Sequence, residues 1–349
     1  PKAWVLPGLV LLSLVSRLLQ IRLGLFGYSS NYERLIEAAS YTQYLSMVAS
    51  LGTLALVIAT LQYYSPHQGR RAGTWFLGIF IYELTFGFLG GFKTAVVMPF
   101  IIVLICQYIR IGRISRHLLI TIPLALVLAF AVIEPFRQAI NKDKDGNGFN
   151  STSLTNIANT MSVATLSAAS ADVTEDEVSL LFTITARFNL TYVGSLGITF
   201  ADDHENLPAG SPDFLGGIIF APLHAWIPRL LWEGKPIWDQ GLWYTHTVMG
   251  YSHNSSTAMG LFTYLYFAGG AIVVFVSLFF MGLIQRLLFF FTHPWKSVAG
   301  AIVFMSMLST TSMIAEGAFN GVMVSLFREL PLVLLFIALF FARIRIIIR

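Results

Sequence analysis

What most constrains this chain is a series of apolar runs, each long enough to cross a bilayer. A spanning helix needs about 20 apolar residues, and such runs lie near 3–20, 40–62, 74–90, 94–110, 118–135, 258–284, 298–315 and 324–342. About eight spans are therefore expected. Only 11% of the residues are charged and 56% are hydrophobic, whereas about a quarter of a soluble domain is charged. Together these exclude a soluble globular domain and predict an all-α polytopic membrane protein, because helices satisfy their own backbone in lipid. The runs 74–90 and 94–110 are separated by little more than Gly91-Phe92-Lys93, which predicts a tight helical hairpin.

Charge gives the orientation. Short basic connections occur at Gly69-Arg70-Arg71, from Arg110 to Arg116 and from Arg286 to Lys296, with Arg343, Arg345 and Arg349 at the end. The positive-inside rule places them all in the cytoplasm. With that threading, none of the 18 Asp and Glu falls in a cytoplasmic connection. The net charge of +4 is then a matter of topology, and no nucleic-acid partner is implied. The single cysteine, Cys106, lies inside an apolar run and cannot form an intrachain disulfide. Pro1 to Gln20 lacks a small-residue cleavage site and reads as a span, not as a signal peptide. A chain that starts without methionine leads us to expect further helices upstream.

Three regions follow: N-terminal transmembrane helices over 1–135, a large external loop over 136–257, and C-terminal transmembrane helices over 258–349. Within the loop, Arg137 to Asn150 is polar and Ser151 to Glu177 is rich in Ser, Thr, Ala and Asn, which predicts a mobile loop with one weak helix. Leu180 to Phe200 reads as an interfacial or partly inserted helix, and Ala201 to Gly217 as turns. The run Asn141-Lys142-Asp143-Lys144-Asp145-Gly146-Asn147-Gly148 resembles the first half of a calcium loop. Its closing glutamate is missing, since Thr152 stands there. Asp143, Asp145 and Asn147 are thus either a weak calcium clamp or an ordinary polar turn, and no other metal ligands are expected.

From Ala221 to Gly260 the loop gathers Arg229, Lys235, Glu233, Asp239, His224, His246 and His253. Trp226, Trp232, Trp238 and Trp243 lie among them, and indoles favour the headgroup layer. Arg17, Arg22, Lys93, Arg137, Arg187 and Arg328 also fall at or near outer helix ends or in the loop, where topology does not call for cations. Guanidinium groups bind phosphate oxygens in pairs; the alternative is snorkelling and salt bridging to acids such as Glu33 and Glu329. His253, beside Asn254, Ser255 and Ser256, has the ordinary pKa of a base that deprotonates a hydroxyl, or else it caps a helix start. His246 is the next choice, with Glu233 and Asp239 as acidic alternatives. Glu83, inside a span, requires a partner or a watery cavity.

Three elements resemble the Wzy-type polymerases of O-antigen and exopolysaccharide repeat units, a family related to the O-antigen ligases. They are the Pro-Arg-Leu-Leu-Trp-Glu-Gly-Lys-Pro run from Pro228 to Pro236, the Gly91-Phe92-Lys93-Thr94 turn, and Ser252-His253-Asn254-Ser255-Ser256-Thr257 followed by Tyr266 and Gly269-Gly270. Members of that family usually carry more spans than are visible here. The resemblance implies a GT-C-like helical bundle in the bacterial inner membrane with its active face periplasmic. It implies a glycosyltransferase without cofactor that takes undecaprenyl-pyrophosphate-linked glycans as donor and acceptor, with a chain-length regulator as a further partner. Arg187 and Arg229 would hold the pyrophosphate, Lys93 and Lys235 would assist, and His253 would be the base. A ligase acting on another acceptor, or a transporter or flippase for lipid-linked sugar, are the alternatives. Transporters place sites on broken helices in repeated halves, and neither feature is visible in the sequence.

Overall fold

The computed structural model describes residues 4–30, 38–65, 70–146, 152–170, 190–204, 207–227, 231–232, 234–235, 240–251, 256–311, 322–323 and 325–340. Among them every regular element is helical. Six helical stretches are long and apolar enough to cross a membrane: Val5–Ser29, Tyr41–Tyr63, Arg71–Leu89, Lys93–Ile111, Arg116–Ile140 and Leu261–Thr292. They coincide with the first six expected spans. The other two expected runs contain the shorter helices Val298–Thr311 and Leu330–Phe340. The chain divides into two compact units, 1–184 and 185–349.

The first unit begins with α1 (Val5–Arg22), α2 (Ala39–Ala49), α3 (Leu51–Tyr63), α4 (Arg70–Leu89) and α5 (Lys93–Ile111). On α1 the burial pattern inverts that of a soluble helix: Leu11, Leu12, Val15, Leu18 and Leu19 are exposed, while Ser13, Ser16 and Gln20 are buried. Ser13, Ser16, Arg17 and Gln20 stand at i, i+3, i+4 and i+7, so they share one face. Lipid solvates the leucines, and the polar face turns to partners inside the bundle. Ser13 Oγ donates to Ala49 O at 2.6 Å and Ser16 Oγ to Leu45 O at 2.6 Å, which fastens α1 to α2.

Helix α6 (Arg116–Gly146) has 31 residues, about 46 Å at 1.5 Å per residue, so its end runs well past a hydrocarbon core of about 30 Å. Helix α7 (Leu154–Ser170) folds back on that overhang. Ile157 of α7 is fully buried beside Phe136, Ile140, Ile21 and Phe26. The one helix expected in the Ser/Thr-rich run is present, and it is docked: Ile157, Met161 and Ala164 lie on one face, with Ile157 and Met161 in the same apolar cluster.

The second unit opens with α8 (Leu190–Asp203), followed by the short α9 (Phe214–Ile219) and α10 (Ala221–Trp226). Next come α11 (Gln240–Trp243), which continues as a π turn over Tyr244–Val248, and α12 (Leu261–Thr292). It closes with α13 (Val298–Thr311), a second π turn over Ser325–Glu329, and α14 (Leu330–Phe340). Helix α12 is broken at Gly269-Gly270, where Gly270 has φ +66, a conformation that favours glycine. The core here is aromatic. Phe214 stacks on Phe267 at 5.1 Å and meets Tyr264 and Trp243 edge-on at 5.4 Å. Its neighbours Tyr244, Leu261 and Leu265 are buried.

Candidate functional site

In the first unit the glycine-then-cation turn is built tightly. Gly91 turns the chain with φ +68, and Lys93 starts α5. Gly27, at φ +63, lies against the same turn, and a Cβ there would stand 2.4 Å from Gly90 O. Tyr28 N donates to Gly90 O at 2.9 Å and Arg137 Nε to Gly91 O at 2.8 Å. The Arg137 guanidinium also lies 4.4 Å from the Tyr28 ring centre and 5.7 Å from that of Phe92. Lys93 Nζ pairs with Glu134 at 2.5 Å and sits 3.8 Å over Phe130. The turn therefore presents two cations at one end of the bundle, each fixed by a hydrogen bond or ion pair together with an aromatic face.

Glu83 has its partner. Arg17 Nη2 lies 2.8 Å and 3.0 Å from the two carboxylate oxygens, and Thr53 Oγ1 donates to Oε2 at 3.0 Å. Tyr82, which donates to Ser13 Oγ at 2.9 Å, and Phe86 hold the guanidinium from the side at 4.9 Å and 5.0 Å. Gly52 makes the approach possible, because a Cβ there would fall 2.2 Å from Glu83 Oε1. Arg17 is thus committed to an internal ion pair among α1, α3 and α4, not offered at a helix end. The signal for this was in the sequence, in the polar stripe of Ser13, Ser16, Arg17 and Gln20.

In the second unit Lys235 is buried, and its ammonium donates to His224 O at 2.6 Å and Ile227 O at 3.0 Å. It closes the carboxyl end of α10, where cations suit the exposed carbonyls. His224 stacks on Trp232 at 5.2 Å; desolvation, with the Lys235 charge adding to it, holds its pKa below the ordinary histidine value. Tyr244 is fully buried and donates to Val193 O. Burial pushes its phenol up to about 12, so it serves as a donor and not as a base.

The π turn that carries His246 also ties down what flanks the expected base. Tyr251 N donates to Thr245 O at 3.0 Å. On the far side Thr257 N donates to Thr245 Oγ1 at 3.0 Å and to Gly241 O at 3.2 Å, and the Thr245 and Thr257 hydroxyls are hydrogen-bonded to each other at 2.8 Å. Gly241 lets the strands close, since a Cβ there would meet Ser256 Oγ at 2.1 Å. Tyr251 and Thr257 therefore both rest on one helical turn. His246 is exposed on that turn, and α12 starts four residues later. This closure, with Gly241, Thr245 and Thr257 as its fasteners, was not legible in the sequence.

Of the expected site residues, Lys93, Lys235 and His246 are placed as above. Arg187, Arg229, Glu233, Asp239 and His253 lie outside the described residues, as does Asn147. Asp143 and Asp145 are on the last turn of α6. Among the described residues no three His, Cys, Asp or Glu cluster as metal ligands. Arg328 and Glu329 stand 3.8 Å apart on the second π turn.

The sequence profile of a family described as a domain of unknown function (DUF8712) matches residues 13–348. No curated protein and no solved structure matches the chain.

Proposed function

The chain belongs to the DUF8712 family, and for this member we propose a bacterial inner-membrane glycosyltransferase of GT-C-like build that polymerises undecaprenyl-pyrophosphate-linked repeat units at the periplasmic face. The acceptor hydroxyl oxygen attacks the anomeric carbon of the donor glycan. The bond from that carbon to the pyrophosphate oxygen breaks, and the leaving pyrophosphate carries away the electron pair. His253 takes the hydroxyl proton, with His246 as the alternative base and Glu233 or Asp239 as acidic ones. Arg187 and Arg229 neutralise the leaving group as charge develops on it. Lys93 and Lys235 act one step removed: the first orders a cationic turn, and the second holds the end of α10 ahead of Arg229.

One observation carries this reading. Tyr251 and Thr257, on either side of His253 in the sequence, are both tied to the turn that bears His246, immediately before a span. The exposed His246 on that turn, so close to the start of a span, supports a base at this place. Purified protein in liposomes, given lipid-linked repeat units, tests the proposal: longer glycans on the lipid are expected, and their absence from folded protein overturns it. A ligase differs only in acceptor and would transfer glycan to a non-identical lipid in the same assay.

The break at Gly269-Gly270 favours a second reading, a transporter of lipid-linked sugar, because discontinuous helices are where transporters hold their cargo. Relocation of the lipid across the liposome without elongation selects it.

A further inference from the structure

The segment from Asp213 to Lys235 is distributed inside out. Phe214, Gly217, Ala221 and Ala225 are buried, at spacings of three, four and four, and pack on α12 and on the π turn Ser325–Glu329. Leu215, Ile219, Leu223 and Trp226 occupy the opposite face at spacings of four, four and three, and they are exposed, Ile219 and Trp226 at 61% each. A helix facing water buries its large side chains and shows small or polar ones. Here three of the four buried positions, Gly217, Ala221 and Ala225, are small, and large apolar residues are turned outward, which is the arrangement of a helix in lipid. From Phe214 to Leu223 no side chain is polar.

The backbone is prepared for the same surroundings. The helical ladder runs through the junction of α9 and α10: Gly217 N donates to Asp213 O at 2.9 Å, Phe220 N to Gly216 O at 2.8 Å, His224 N to Phe220 O at 2.9 Å and Ile227 N to Leu223 O at 2.9 Å. Asp213 Oδ1 accepts from Gly216 N at 2.8 Å at the start. Lys235 covers the His224 and Ile227 carbonyls at the end. A segment with no water to solvate its ends must close them internally. Its 13 residues from Phe214 to Trp226 measure about 20 Å, too short to cross about 30 Å of hydrocarbon.

We propose that residues 213–227, closed by Lys235, form a monotopic element that lies in one leaflet, with the Leu215, Ile219, Leu223 and Trp226 face buried among phospholipid acyl chains. The occupant of that face is the bilayer itself. The element packs on α12, a span whose own exposed face carries Phe262, Ile272, Phe275 and Phe279, so the same unit already meets lipid. In this role Lys235 is a membrane-depth cap, and Trp226 and Trp232 mark the headgroup end. The inference does not depend on the glycosyltransferase reading.

Cys106 is the chain's only cysteine, so a Cys106→Ala background permits single labels. Ile219→Cys and Leu223→Cys carry a nitroxide, with Ala225→Cys as a buried reference, in full-length protein reconstituted into phosphatidylethanolamine and phosphatidylglycerol vesicles. Monodisperse elution before reconstitution checks folding. Oxygen, which concentrates in the acyl region, should broaden the 219 and 223 spectra severalfold more than a water-soluble nickel chelate does, and position 225 should respond to neither. Stronger broadening by nickel at 219 and 223 would place the face in water. Silence toward both reagents would mean that protein covers it, either another part of this chain or a second copy. Either result overturns the proposal.

Discussion

The two units differ in how their most buried cations are satisfied. In the first, charge is cancelled by charge: Arg17 meets Glu83 and Lys93 meets Glu134, both pairs between regular helices. In the second, several polar side chains serve the main chain: Lys235, Tyr244, Tyr264 and Thr245 donate to carbonyls, beside the side-chain pairs Tyr266–Asp202 and Arg328–Glu329. The reason is the backbone. Short helices, two π turns and a helix broken at glycine leave carbonyls that no ladder satisfies, and each needs a partner where water is scarce. Regular helices held by internal ion pairs make a scaffold, while irregular backbone pinned by side chains is where a membrane protein keeps its site. The first unit is read as a frame and the second as the working part.

The contrast breaks most visibly if the ion pair is dispensable. Replacing Glu83 with Leu leaves Arg17 buried and uncompensated, a loss of about 3–5 kcal/mol that a shift of the unfolding transition in detergent would register. The double replacement Arg17→Leu with Glu83→Leu should regain most of that loss, and failure to regain it would mean that the pair does more than neutralise itself. Next in size, Lys235→Met removes two charge-assisted bonds to carbonyls and is expected to cost about 1.5–3 kcal/mol. Lys235→Arg should restore much of it, and equal stability of Met and wild type would undo the capping role. Gly27→Ala is expected to cost about 1–3 kcal/mol, because the residue is left-handed and its new methyl meets Gly90 O. The same change at Gly112, also left-handed but open to space, isolates the steric part.

The smallest effect is a pH dependence at His224. Its pKa is lowered in the fold, so the folded state takes up its proton less readily than the unfolded chain does. The stability this contributes is complete above the ordinary value of about 6.5 and is lost as pH falls from there through the folded value. Subtracting the pH profile of His224→Phe from that of wild type should leave that slope; a flat difference would show that the ring titrates normally.

Span positions and the Gly91 hairpin were legible because hydropathy over about 20 residues is a strong signal in lipid. The partner of Glu83 was legible in principle, since a polar stripe at helical spacing on α1 demands one. What the sequence hid was contact between distant turns. Nothing in Gly241, Thr245 or Thr257 says that they meet, and the Ser/Thr-rich run from Ser151 promises only one weak helix until Ile157 finds Phe136 and Ile140. The basic residues gathered as one outer set proved to be of different kinds, because a cation's local sequence does not reveal whether a carboxylate waits across a helix interface. Arg17 and Lys93 each face a carboxylate, whereas Lys235 faces two carbonyls.

The division into frame and working part is tested most directly by measuring elongation of lipid-linked repeat units and thermal unfolding on the same two variants. His253→Ala should abolish elongation while unfolding as wild type does. The paired Arg17→Leu and Glu83→Leu protein should elongate normally once folded. Normal elongation by His253→Ala, or a folded but inactive double variant, would contradict the account.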